Sequence, residues 1–332
     1  MYNAYINLRI GCYLLLEEKI LSILKSHYNN YISGSEIARR FSISRSMVNK
    51  IINSLRSKGF IIKSHPKLGY RLINENDLSK ANEYLKDLNT NIKYTVLYMK
   101  SCTTTQDVAE ELAYHGANEG TVVICETMSK GRGRLGRYWY APEGGLWFTL
   151  VLRPPFIKSL HLLSFIAGLS VLKAIKDILN INAKLKWPND VLINERKVSG
   201  ILIEAKAEAD RLLYALMGIG INVNNTIPEE LRNSAISLKD VIGNEVPRVT
   251  LLRSILISLD LLYSRLLRGH IDYIIMEWLK NSATIGRRVR VHLVGGEIIE
   301  GKAVGVDKLG RLLVKVNDEV KHIEAGDVIH LR

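Results

Sequence analysis

Hydrophobic spacing divides the chain into stretches of different texture. Leu16, Ile20, Ile23 and Leu24 share one helical face with charges between them, which predicts a helix over 13–29. A short helix, Glu36 to Phe41, follows behind the candidate N-caps Ser33 and Ser35. After the turn Ser42-Ile43-Ser44, a further helix places Val48, Ile51, Ile52 and Leu55 on one side. Two short strands, Phe60 to Lys63 and Tyr70 to Ile73, then flank a Pro-Gly turn. Helix, helix, turn, helix and two-stranded wing is the winged helix-turn-helix pattern, assigned to 14–74. Residues 75–92 are polar and lack Gly and Pro, as in a linker or short connecting helix.

From 93 to 283 strands and helices mix. Strands are predicted over Lys93–Ser101, Gly120–Thr127, Gly144–Leu152 and Val191–Ile193, and a long hairpin over Val198–Lys206 and Arg211–Val223. Helices fit Asp107–Tyr114, Leu160–Leu179, Leu251–Leu267 and Ile271–Ser282. Over 284–332 short alternating strands are separated by Gly-Gly, Asp-Lys-Leu-Gly and Asn-Asp turns, which predicts a small closed β-barrel of the SH3-like kind. The fold class is therefore multidomain α+β: winged helix, central mixed-sheet α/β domain, C-terminal barrel.

One stretch fits neither period. Gly131-Arg132-Gly133-Arg134-Leu135-Gly136-Arg137 packs three glycines and three arginines into seven residues. Glycine weakens helix and strand interiors alike, so this is a loop, expected to be mobile, between two strands. Its backbone N–H groups can approach an anion closely, and its guanidinium forks suit phosphate and carboxylate oxygens.

Composition sharpens this reading. The formal net charge of +13 suggests a polyanionic or phosphate-bearing partner. Arg39 to Arg71 holds nine Lys or Arg residues and no acid, and the helix from Ser44 exposes Ser44, Arg45, Ser46, Asn49 and Lys50, residue types that hold phosphates or read base edges. Cys12, Cys102 and Cys125 lie far apart without a CxxC pair, which argues against a disulfide framework and for a reducing cytoplasm. The histidines show no metal-ligand spacing. The apolar run Leu160–Leu172 is too short to span a bilayer and reads as a buried helix, so no membrane partner is expected. Gln106 is the only glutamine in the chain.

Gly-Arg-Gly-Arg-Leu-Gly-Arg from Gly131, Lys-Trp-Pro-Asn-Asp from Lys186, Arg-Lys-Val-Ser-Gly-Ile-Leu-Ile-Glu from Arg196 and Gly-Ile-Gly-Ile-Asn from Gly218 occur in this order. Together they resemble the biotin protein ligases. The winged helix makes the chain similar to the bifunctional branch, in which the ligase also serves as biotin-operon repressor. The resemblance implies a class II synthetase-like catalytic domain. It implies a reaction of biotin with ATP, with Mg²⁺, to give biotinyl-5′-AMP, followed by transfer of biotin to a lysine of a biotin carboxyl carrier protein. It further implies operator DNA as a partner and a homodimer formed through an exposed sheet edge.

Residue by residue, the resemblance assigns Lys186, Arg132 and Arg134 to catalysis. The biotin pocket it implies comprises Thr103, Thr104, Thr105, Gly131, Arg132, Gly133, Arg134, Lys186, Trp139 and Gly200. On the nucleotide side it implies Arg132, Arg134, Arg137, Asn189 and Asn222, with Asp190 as a metal ligand or orienter. Two positions depart from the family pattern: Met128 stands where an amide is usual, and Thr105 where Asn is usual, both near the polar head of biotin. Methionine offers no strong donor or acceptor. The departures leave two other readings open, a biotin-sensing regulator with little ligase activity and a lipoate-type ligase.

Overall fold

The computed structural model describes residues 2–28, 30–58, 60–73, 76–154, 160–208 and 211–331. The N-terminal unit comprises α1 (Tyr2–Ser26), α2 (Gly34–Arg40), α3 (Arg45–Ser57) and an antiparallel wing of β1 (Ile62–His65) and β2 (Gly69–Leu72). Ser33 caps α2 by accepting from the Glu36 N–H, and Ser44 caps α3 by accepting from Met47. Val48, Ile51, Ile52 and Leu55 all bury against Ile20, Leu24, Ile37 and Leu72, so the predicted apolar face is the core face. The first helix begins well before the predicted start. The predicted 74/75 boundary lies outside the described residues. The connection beyond it forms a short 3₁₀ turn, Leu78–Lys80, and α4 (Ala81–Leu85).

The central sheet contains β3 (Thr95–Cys102), β4 (Thr121–Met128), β5 (Leu146–Leu152), β6 (Lys184–Lys186), β7 (Asp190–Ile193), β8 (Arg196–Glu208) and β9 (Arg211–Ile221), in the order β3-β4-β5-β9-β8-β7-β6. β3 and β4 are parallel, joined by α5 (Thr105–Tyr114), and the remaining neighbours are antiparallel. One face packs on α6 (Leu160–Leu179), α8 (Arg248–Leu267) and α9 (Ile271–Lys280) in a large apolar core. Ala109 and Ala113 of α5 cover the other face, against Val123, Val151 and Leu216. A short α7 (Leu238–Ile242), closed by a capping box at Ser237, precedes α8.

The C-terminal strands β10 (Arg288–Leu293), β11 (Ile298–Val306), β12 (Leu312–Val316), β13 (Glu319–Ile323) and β14 (Gly326–His330) are antiparallel in the order β13-β12-β11-β10-β14. This corrects the expectation of a closed barrel. Among the described residues no ladder joins β13 to β14, so the sheet keeps two edges. Alternation fixes strands and turns but not whether the end strands meet.

The cysteine reading is also corrected. Cys102 and Cys125 form a disulfide although 23 residues separate them in sequence. The β3–α5–β4 crossover lays their strands side by side, a proximity that sequence spacing conceals. No helix is long and apolar enough to cross a membrane among the described residues.

Candidate active site

Three glycines explain why a cavity exists on the α5 face of the sheet. Gly200 pairs with Gly220, and Gly218 lies opposite Leu202 and Thr149. A Cβ at Gly220 would stand 2.9 Å from the Trp139 indole, and one at Gly200 3.0 Å from the same ring. A Cβ at Gly218 would meet the Gln106 amide oxygen at 2.6 Å. Only side-chain-free strands leave this room. The resulting cavity, about 1070 Å³, runs from α5 to the C-terminal sheet.

The Gly-Arg stretch closes over it. The Met128 N–H donates to Ala141, the Trp139 N–H to Gly131 and the Gly133 N–H to Arg137, so the loop is bridged across its own neck. Gly131 is buried at that crossing, where a Cβ would strike the Trp139 carbonyl at 2.4 Å. Leu135 sits exposed with φ 57° and lets the chain reverse.

Each arginine of the loop has found a partner. Arg132 bridges Asp107 of α5 and Glu204 of β8. Burial opposes its charge, but hydrogen bonds to Glu204 and Asp107 override this and raise its pKa above the usual value. Arg137 pairs with Asp327 of β14, and Arg134 reaches the Gly326 carbonyl at 3.5 Å. Burial pushes the Arg134 pKa down. The loop thus rests on the C-terminal sheet, whose Asp327, Val328 and Ile329 line the cavity.

Opposite the loop, Lys186 ends β6 and a cis peptide joins Trp187 to Pro188. Trp187 is buried and donates from its indole to Gly310, which anchors the lysine-bearing segment to the C-terminal sheet. His330 lies near Lys186. Burial, then the charges of Lys186 and Arg287, hold its imidazole at about 4. Asn189 donates to the Ile201 carbonyl at 2.6 Å, and buried Asn222 accepts from Asn225.

Thr104, Thr105, Arg132, Gly133, Arg134, Arg137, Trp139, Lys186, Asn189, Asp190, Gly200 and Asn222 all line this one cavity. Thr103 does not: its side chain is exposed, and its carbonyl accepts from Lys130. Trp147 is core, fully buried beneath Trp139 with ring centroids 6.1 Å apart. Asp190 Oδ1 is 2.6 Å from Lys197 Nζ, an ion pair without hydrogen-bond alignment. Among the described residues, no group of three or more His, Cys, Asp or Glu could hold a metal ion. Asp190 is thus ion-paired with Lys197 in this structure. Ser44, Arg45, Ser46, Asn49 and Lys50 are all exposed on or beside α3. Arg56 and Arg71, by contrast, are engaged within the winged helix, on the Ile62 carbonyl and over the Tyr31 ring.

Sequence reasoning missed Lys197, whose ammonium lies 5.1 Å from the Trp139 ring centre, although Lys197 stands inside a quoted motif. Glu204 closes that same motif and was missed too, whereas Asp107 and Asp327 stand in none of the quoted motifs. Gln106 and Thr149, buried in the cavity wall, were missed as well, although a sole glutamine in a long chain was a usable flag.

The Trp139 indole N–H is buried without a partner, so the cavity holds an unmet donor. A cavity lined by Lys186, Arg132 and Arg134 together with the buried hydroxyls of Thr104, Thr105 and Thr149 suits an acid that also carries a polar group. The Biotin/lipoate A/B protein ligase family matches residues 98–222, an HTH domain matches 17–71, and the Biotin protein ligase C terminal domain matches 284–331. The chain is 34% identical over 319 residues to the bifunctional ligase/repressor BirA of Bacillus subtilis, covering 94% of this chain and 98% of the relative. It is 34% identical over 248 residues to the biotin–[acetyl-CoA-carboxylase] ligase of Mycobacterium tuberculosis, covering 69% and 86%. The solved biotin protein ligase of Aquifex aeolicus, in complex with biotin and ATP, superposes with a TM-score of 0.63 at 33% identity, covering 71% of this chain and 98% of that one.

Proposed function

The chain belongs to the biotin protein ligase family, and on that premise we propose that it is an ATP-dependent biotin–protein ligase with a second role as a DNA-binding repressor. The observation that carries this reading is one cavity lined by Lys186, Arg132, Arg134, Thr104 and Thr105, with Gly200, Gly218 and Gly220 in its wall.

The first step joins a biotin carboxylate oxygen to the α-phosphorus of ATP and releases pyrophosphate. Two anions must meet, and the attacked phosphate gathers further negative charge. Lys186, Arg132 and Arg134 offset that charge, so the step depends on fixed cations rather than on a base. Arg132 enters it by exchanging Asp107 and Glu204 for the ligand's oxygens. Asn189 and Asn222 lie on the nucleotide side, and Mg²⁺ arrives with the phosphates of ATP. In the second step a carrier lysine amine attacks the acyl carbon, AMP leaves, and the amine loses its proton. The loop, seated on the C-terminal sheet, screens the mixed anhydride from water in between. That sheet is read as SH3-like, in spite of its open edge.

The helix α3 serves operator DNA, with Ser44, Arg45, Ser46, Asn49 and Lys50 toward the duplex. Among the described residues, those of β8 beyond Ile201 outrun β7 and have no strand on that side, which supports a homodimer.

The test is incubation with biotin, ATP and a carboxyl carrier domain, followed by streptavidin blotting. Labelled carrier is expected; none, together with no calorimetric binding of biotin, overturns the ligase. Lipoate in place of biotin separates the substrates. For DNA, Arg45→Ala is expected to weaken binding and lower the salt slope by about 1. Absence of any retardation by the wild-type chain at low salt removes the repressor role.

A further inference from the structure

The head end of the cavity contains a chain of hydrogen bonds whose direction can be worked out. Gln106 Nε2 lies 3.5 Å from the Leu216 carbonyl, which orients the amide: a flip would set two oxygens against each other. Gln106 Oε1 therefore points inward and accepts from the Thr149 hydroxyl at 2.9 Å. Thr149 has then used its only proton. Its oxygen lies 2.9 Å from Thr105 Oγ1, so Thr105 must be the donor of that pair. The Thr105 oxygen is left with lone pairs only. Thr104 is polarised the other way: its oxygen accepts from the Gln106 N–H at 3.3 Å, which leaves its hydroxyl proton for the cavity. All four side chains are at least nine-tenths buried. The Thr105 N–H is occupied too, donating to Met128 Sδ at 3.3 Å.

We propose that Thr149 is a specificity-determining positioning residue: through Thr105 it presets the cavity's head end as an acceptor beside a donor, the complement of a ring edge carrying N–H next to C=O. A cyclic urea or lactam head satisfies both groups. A head with only carbon and sulfur at that edge, such as a dithiolane, leaves the Thr105 oxygen buried and unpaired. Discrimination against the dithiolane acid thus resides in Thr105 and in Thr149 behind it. Gly218 is part of the device, because a Cβ there would displace the Gln106 oxygen. This inference deepens the ligase reading and rests on it.

The experiment is calorimetric titration of the full chain with biotin and with lipoate, for wild type, Thr149→Val, Thr149→Ser, Thr105→Val and the double valine variant, alongside steady-state kinetics. Thr149→Val keeps the β-branched shape on β5 and is expected to raise the biotin Kd about tenfold. KM should rise with it while kcat holds, because the head lies away from the reacting carboxylate. Thr149→Ser should restore binding. Adding Thr149→Val to Thr105→Val should cost nothing further, since one acts through the other. Additive losses, or a Thr149→Val affinity within about twofold of wild type, overturn the relay. Should Thr149→Val fail to fold, Thr149→Ser against Thr105→Val decides: equal losses in both overturn it. A wild-type chain that binds no biotin overturns the underlying ligase reading instead, so the two failures are distinguishable.

Discussion

Glu126 and Arg248 offer the most demanding test of the packing argument. Glu126 sits on β4, two residues before Met128, and Arg248 opens α8. Their side chains are 13% and 8% exposed, and the contact is bidentate at 2.7 and 3.2 Å. The guanidinium also donates to the Gly145 and Asn76 carbonyls, but its Nε has no partner. Glu126→Gln keeps the shape and one acceptor while stranding a buried cation. The expected loss is about 3 kcal/mol, the low end for breaking one partner of a buried pair. For a domain of this size that corresponds to a melting midpoint about 6–12 °C lower. Differential scanning calorimetry reads it directly. Glu126→Gln/Arg248→Gln should melt above Glu126→Gln alone, because the uncompensated charge is gone. A Glu126→Gln midpoint within about 2 °C of wild type, or a double variant no better than the single, would refute the claim that the pair neutralises a desolvated charge.

Two further outcomes are expected. Lys186→Ala should reduce biotin-dependent pyrophosphate–ATP exchange to background with an unchanged melting midpoint, because its charge matters as the reaction proceeds; unchanged exchange removes it from the mechanism. His330, held at about 4 against an ordinary 6.5, should make stability fall as pH drops from 6.5 toward 4. In that window the unfolded chain takes up a proton that the folded chain refuses. His330→Asn should flatten the wild-type pH dependence of the midpoint there, and parallel curves would refute the assignment.

The strongly periodic parts of the fold were legible: α6 spans the predicted Leu160–Leu179, and the apolar faces of α3 and α6 are core faces. Burial on one side of a helix repeats in sequence, so it can be read there. The cavity residues were legible where they stand in compact motifs, as Lys186 and the Gly-Arg loop do. What stayed hidden depends on register between distant strands. Nothing near Arg137 announces Asp327, and nothing near Arg132 announces Glu204. Cys102 and Cys125 meet only because a helical crossover aligns two strands. Thr103 looked equivalent to Thr104 until the N-cap of α5 set one outward and the other inward. Arg56 is one of the nine basic residues counted between Arg39 and Arg71, yet the wing's own Ile62 carbonyl holds it.

The Arg137–Asp327 contact has a consequence in time. During synthesis the winged helix has all its strands once Leu72 has left the ribosome, whereas the cavity wall waits for Asp327, Val328 and Ile329. At about 5–20 residues per second the gap of roughly 250 residues lasts on the order of 10–50 s. For that interval the nascent chain carries a complete winged helix and an unfinished catalytic domain. A message truncated before β14 would therefore yield a chain with a complete winged helix yet without the wall on which the Gly-Arg loop rests.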